Sequence, residues 1–237
     1  MKVKPMLCKG TVVRAIMDGR QAQDRRPIGN SRVWASDLIM DTDVVDGKEV
    51  SLGFEDAAGR WHKTEERAPY QPGDIIWVRE PGKVLDVKDY AEDGMDLVIE
   101  YLADGKGANI EVPSRMSEAW EIKYKDRWPV PDWVAEHQGI PNGIFKEACR
   151  LFLKVTAVRV ERIQDISQAD AMAEGIFEQP GGFAYQFPDG HWERTHDPRL
   201  TFKFLWADLY PGSWERNDWV WVTEFERTEK PAGWPGN

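Results

Sequence analysis

Four arginines, Arg14, Arg20, Arg25 and Arg26, stand close together near the start of the chain. A guanidinium offers a planar fork of N–H donors that grips phosphate or carboxylate through two bonds and stacks on a base, which a lysine ammonium does less well. Residues 1–34 hold eight Lys or Arg against only Asp18 and Asp24, a local balance of +6. The whole chain carries 31 basic and 41 acidic residues for a net charge of −10, which leaves −16 for everything after residue 34. Affinity for long duplexes comes from many phosphate neutralisations, and an acidic body does not supply them. A focal basic site suits a small anion or a short single-stranded segment. The competing reading of these arginines is a solvated set, some of them paired with Asp18 and Asp24.

Other chemistry-bearing residues divide into one candidate and several ordinary features. Glu174 falls in the last turn of a short predicted helix, where the negative dipole end costs a carboxylate about 0.3–1 kcal/mol. A functional role explains that placement, and so does simple solvent exposure. His191 and His196, with Asp189 and Asp197 nearby, lie in a loop with no further ligand cluster, so a polar loop is expected and no metal or cofactor. Cys8 and Cys149 match neither a disulfide framework nor a zinc spacing, which points to a reducing cytoplasm, with Cys149 as a small buried hydrophobe. Neither a Ser-His-Asp order, a P-loop nor a dinucleotide fingerprint is present. No apolar run approaches the roughly 20 residues of a membrane span, and the opening MKVKPMLCKG shows no secretory signal.

The elements that position these residues follow from periodicity and punctuation. With 237 residues the chain can bury a core without staples. Residues 11–18 read as a helix capped by Thr11, with Val12, Val13, Ile16 and Met17 apolar and Gly19 as its stop. After GRQAQDRRP comes a hairpin-rich stretch with a strong turn at Asp46-Gly47 and a weaker one at Ala58-Gly59. Ile75–Glu80 reads as a strand, with Ile75, Trp77 and Arg79 on one face and Ile76, Val78 and Glu80 on the other. Residues 95–102 form another, turning at Asp104-Gly105, and residues 113–143 an irregular excursion. Residues 150–162 alternate until Ala157-Val158, where a bulge fits. Ser167 and Asp170 resemble a capping box for a helix over 168–174 closed by Gly175. Residues 178–196 read as a loop. Asp197-Pro198 opens a helix that buries Leu200, Phe204, Leu205 and Leu209, and 218–227 is the last strand. The expected fold is α+β, a compact mixed barrel with short helices at its mouth, rather than a parallel doubly wound sheet.

Four blocks carry a family resemblance. The stretch from Val13 to Arg26 (VRAIMDGRQAQDRR) resembles the signature of the ASCH family, a branch of the PUA-like superfamily, and more closely the ASCH-type proteins of bacteriophages and prophages. Pro72–Glu80, Val158–Ile176 and Trp219–Phe225 agree in the right order. Together they cover about a quarter of the chain and span nearly its full length. The resemblance implies a PUA-like β-barrel over 1–228, with inserted hairpins and loops at about 35–70, 113–145 and 178–196, and a frayed tail over 229–237. It also implies a pocket between the first helix and the barrel, with Trp77, Arg79 and Glu80 lining it: the indole stacks a base and the charged pair fixes its edge. The competing reading of Trp77 is packing, as for most of the twelve tryptophans.

Some small ASCH proteins are amidohydrolases that remove the acetyl group of N4-acetylcytidine with a lysine, a threonine and a glutamate. Carried over by motif, the glutamate falls on Glu174, the lysine position on Gln21 and the threonine position on Asp24, while Arg26 is kept. An amide does not titrate, so Gln21 cannot serve as base or nucleophile in place of lysine. Asp24 can act as a base but lacks a hydroxyl poised to attack. The expected function is therefore a binding module for a nucleotide, a modified nucleoside or a short single-stranded nucleic acid, using Arg14, Arg20, Arg25 and Arg26. Two alternatives stand beside it. One is an amidohydrolase on acylated cytidine, with Glu174 and Asp24 handling protons. The other is an acidic factor that docks on a host protein.

Overall fold

The computed structural model describes residues 1–28, 39–45, 49–55, 58–91, 94–113, 139–140 and 143–235. Strands dominate, with few and short helices, so the class is α+β. The first strands are β1 (Val3–Leu7), β2 (Gln23–Pro27), β3 (Ile39–Val45), β4 (Glu49–Glu55) and β5 (Trp61–Arg67). β6 (Ile75–Arg79), β7 (Gly82–Ala91), β8 (Gly94–Tyr101), β9 (Gly107–Pro113) and β10 (Phe152–Arg162) follow. β11 (Phe177–Gln179), β12 (Gly182–Gln186), β13 (Trp192–Thr195) and β14 (Trp219–Thr228) complete the set. The helices are α1 (Gly10–Met17), α2 (Gln168–Ala173) and α3 (Pro198–Leu209). Among the described residues the sheets have free edges, one of five strands and three of three, and none closes into the expected barrel. No described helix is long and apolar enough to cross a membrane.

The chain divides into two compact units. The first comprises Met1–Lys4, Ala15–Ile75 and Leu153–Arg227. In it β10, β14 and β2 are neighbours in that order, with β2 at the sheet's edge. β2 runs antiparallel to β14, with Gln23 opposite Glu224 and Arg25 opposite Val222. The sequence analysis places no strand at Gln23–Pro27, because QDRRP lacks apolar alternation. An edge strand tolerates such polarity and a terminal proline, since one side of its backbone needs no partner. β3, β4 and β5 form an antiparallel meander; the turn expected at Asp46-Gly47 lies outside the described residues, as does most of the excursion expected over 113–143.

The capping box holds. Ser167 Oγ accepts from the Asp170 backbone N–H at 3.0 Å and donates to Asp170 Oδ2 at 2.8 Å. The stretch expected as a loop over 178–196 is instead the sheet β11-β12-β13; its three- to five-residue strands are too short to show a period. α3 starts at its Asp197 cap as expected, yet it buries Thr201, Phe202, Leu205 and Trp206, and leaves Leu200, Phe204 and Leu209 exposed. Rotation onto this face buries two large rings and satisfies their polar neighbours: Trp206 Nε1 donates to Ser213 Oγ at 3.1 Å, and Thr201 Oγ1 donates to the Phe183 carbonyl at 3.0 Å. Phe202, Leu205 and Trp206 join Ile163, Ile176 and Val220 in this unit's core. Along β10 burial runs through Leu153 and Val155 and then shifts phase to Val158, where the sequence placed its bulge.

The second unit comprises Pro5–Arg14, Ile76–Phe152 and Thr228–Asn237. Its antiparallel sheet β7-β8-β9 packs Val84, Leu97, Ile99 and Val112 with Ile140, Ile144 and Phe145. Arg150 bridges two carboxylates here. Its Nε and Nη2 each bond fully buried Glu80 at 2.8 Å, and it bonds Asp104 at 2.9 and 3.0 Å. The expected frayed tail is docked through Trp234, which donates to the Lys146 carbonyl at 2.9 Å and meets Phe152 edge-on at 5.2 Å.

Candidate functional site

β2 positions the first half of the site. Pleating turns Gln23 and Arg25 inward and leaves Asp24 and Arg26 half-buried on the other face. α2 positions the second half, because Glu174, the residue that caps its C-terminus, forms an isolated antiparallel bridge with Gln21. The contact is tightened by the Ala22 N–H donating to the Ala173 carbonyl at 2.8 Å. Gly175 then takes φ +94°, and a Cβ there would lie 3.1 Å from Gln21 Oε1, so this approach requires glycine. The three positions that the ASCH resemblance links, Gln21, Asp24 and Glu174, therefore come together in one unit.

Arg25 is 3% exposed, and four of its five N–H donors are hydrogen-bonded, with Nη2 also 3.6 Å from Asp170 Oδ2. Nε and Nη2 bond Glu161 Oε1 at 3.0 and 2.7 Å, and Nη1 bonds Glu174 Oε1 at 2.7 Å and Gln23 Oε1 at 2.9 Å. Around it Gln23 Nε2 donates to Asp170 Oδ1 at 2.8 Å, and Arg159 bonds Glu161 at 3.1 Å, Asp170 at 3.0 Å and Glu224. Arg25 is thus a buried tie between strand and helix, and no phosphate reaches it without breaking this network. Removing one partner of such a set costs about 3–5 kcal/mol because the remaining charges stay buried.

Glu174 is 6% exposed. Burial pushes its carboxyl up to about 7; the Arg25 guanidinium opposes that rise and nearby Asp24 adds to it. Burial also raises the Tyr210 hydroxyl, with Asp24 adding to the rise, so this ring belongs to the same neighbourhood. Gln21, also 6% exposed, donates through Nε2 to the Gln23 carbonyl at 3.0 Å, which fixes its amide orientation. Its Oε1 is buried and accepts nothing. An unmet buried acceptor costs about 1–3 kcal/mol, and among the described residues no donor meets it.

The remaining arginines separate. Arg26 Nε bonds Asp24 Oδ2 at 2.6 Å. Arg20 bonds Asp18 at 2.9 Å and lies 4.8 Å over the Phe177 ring. Arg14 belongs to the second unit and is exposed on α1. Trp77, Arg79 and Glu80 belong to that unit as well, on or just after β6. Trp77 packs against Trp234 at 5.6 Å under the Arg79 guanidinium at 5.6 Å. Glu80 points to the other face as the alternation predicts, where Arg150 occupies both its oxygens. Among the described residues no three His, Cys, Asp or Glu side chains group as a metal site; His191 instead bonds Asp189 at 2.5 Å and stacks on Phe187 at 4.2 Å.

Charge bookkeeping redirects the chemistry. Asp24, Glu161, Asp170, Glu174 and Glu224 outnumber Arg25, Arg26 and Arg159 in the cluster. An excess of carboxylates repels phosphate and favours a neutral ligand that offers N–H donors. The sequence did not reveal Glu161 and Asp170 as partners of Arg25, or Arg159 as the second cation of the network, since they are distant in the chain; the local signs were the i, i+2 placements of Gln23 and Arg25 on β2 and of Arg159 and Glu161 on β10. No family model, curated protein or solved structure matches the chain.

Proposed function

We propose that the protein is a nucleotide- or single-stranded nucleic-acid-binding module of ASCH type with a PUA-like fold, and that it reads a base edge at Gln21, Asp24 and Glu174. One observation carries the reading: Gln21 Oε1 is a buried, oriented and unmet acceptor beside a carboxyl that titrates near neutrality. A base edge supplies the missing N–H, and Glu174 can accept or donate according to its proton. Arg25 acts here as a positioning residue that holds Glu174 against Gln21. Phosphate contacts fall to the half-exposed Arg20, which stands outside the carboxylate cluster.

Thermal unfolding with nucleosides, nucleotides and short oligonucleotides tests this. Ligand stabilises by RT ln(1 + [L]/Kd), so a millimolar binder at about fivefold excess over Kd adds ~1 kcal/mol, roughly 2–4 °C at this chain length. Stabilisation that disappears in Gln21→Ala supports the reading; a flat response to every nucleoside, nucleotide and oligonucleotide overturns it.

A second reading has its own support in the Glu174 carboxyl, which burial raises to about 7 and which can therefore hand over a proton, with the Asp24 side chain nearby. On that reading the protein hydrolyses the amide of an N4-acylated cytidine. Cytidine released from N4-acetylcytidine, and not by Glu174→Gln, would favour it; no product after long incubation would remove it.

A further inference from the structure

Resting on the nucleic-acid reading above, we propose that the outward face of the sheet β11-β12-β13 is a stacking platform for unpaired bases of a single strand. Registers pair Phe177 with Ala184, Ala184 with Arg194, and Gln186 with Trp192. Alternation therefore gathers Phe177, Gln179, Ala184, Gln186, Trp192 and Arg194 on one face. Phe183 and Tyr185 turn the opposite way into the core, and Glu178 and Glu193 share their side. On a chain of net charge −10 this face carries aromatic rings, amides and a guanidinium without a carboxylate.

Trp192 is the ring that this face leaves open, and Phe177 supports it from the side. Trp192 is 47% exposed and meets Phe177 edge-on at 5.9 Å. Arg20 covers the Phe177 ring at 4.8 Å, and its partner Asp18 sits at the exposed rim. With the Gln179 amide turned so that its oxygen faces Arg194, that oxygen accepts from Nε at 3.1 Å and Nη2 at 3.0 Å, while Nη1 donates to the Pro180 carbonyl at 3.3 Å. Three of five guanidinium donors are used, which leaves one N–H on each terminal nitrogen for a phosphate oxygen. An exposed ring beside a cation binds single strands without sequence preference, because every base has a π-face. The platform adjoins the base site through the chain itself: Arg20 precedes Gln21, and Phe177 lies three residues beyond Glu174.

Anisotropy titration of fluorescein-labelled RNA and DNA hexanucleotides tests the platform, with cytidine and adenosine titrated in parallel. Trp192→Ala should weaken hexanucleotide binding about ten- to hundredfold, and Trp192→Phe should restore most of it. Arg194→Gln should flatten the dependence of log K on log salt by about 0.7. Nucleoside binding should be unchanged in all three variants. Hexanucleotide affinity that is equal in wild type and Trp192→Ala, or absent in wild type, overturns the platform even where nucleosides bind. Loss in Trp192→Ala without any nucleoside binding keeps the platform and removes the base site. A protein ligand captured at Trp192 with no nucleic-acid affinity overturns both.

Discussion

Replacing Glu174 by glutamine should remove a specific pH dependence from folding. Its carboxyl rises from an ordinary 4.5 to about 7 in the folded protein, chiefly through burial. The folded state therefore holds this proton more tightly than the unfolded chain. The contribution is fully present below pH 4.5 and is lost as pH rises through 7. At 1.36 kcal/mol per pH unit the full span is ~3 kcal/mol, of which about 2–3 kcal/mol falls between pH 5 and 8. A glutamine oxygen still accepts from Arg25 Nη1, and Arg25 keeps Glu161, so the variant should fold. Asp74 and Asp170 are held below the usual range by their hydrogen bonds and cations, against burial, which raises them; their contributions are lost only as pH falls below about 4 and stay outside the window. Urea unfolding at pH 5 and pH 8 reads the difference. Wild type should lose about 2–3 kcal/mol relative to Glu174→Gln on going to pH 8. Parallel pH profiles for the two proteins would refute the assignment.

Arg25→Ala should destabilise by about 3–5 kcal/mol, since buried Glu174 would lose the guanidinium that bonds it, while half-buried Glu161 keeps only Arg159; a loss under about 1 kcal/mol in urea unfolding would contradict the tie. In the second unit Arg150→Ala strands fully buried Glu80 and should lower stability by a similar ~3 kcal/mol, with Glu80→Gln recovering part of it in the double variant. Trp234→Ala removes the ring that holds the chain end to Lys146 and Phe152. Residues 229–235 should then become open to proteinase K, and an unchanged digestion pattern would count against docking.

What the sequence made legible was local. The Ser167 cap, the Asp197-Pro198 start and the Gly19 and Gly175 stops depend on neighbours within four residues, and each is found where expected. The strand at Ile75 was readable from its alternation. Among the described residues the sheets keep free edges, so the expectation is met as a strand-rich α+β fold; closure depends on how strand edges meet and leaves no periodic trace. The face of α3 was misjudged because counting apolar residues favours Leu200 and Phe204, whereas burying Phe202 and Trp206 fills more volume. At the site, residue types pointed to Arg25 and Glu174, and the structure joins them at 2.7 Å. Type alone could not reveal that Glu161, Gln23 and Glu174 together take four of the five guanidinium donors. That engagement moves Arg25 from ligand contact to support and leaves the neutral amide of Gln21 as the open group.

The Gln21 side-chain amide resonance reports the base site most directly. Titrating ¹⁵N-labelled protein with cytidine and adenosine, with the signal assigned by its absence in Gln21→Asn, should shift that amide together with the backbone of residues 174–177. Shifts confined to the second unit, or none at millimolar nucleoside, would contradict a base read at Gln21 and Glu174.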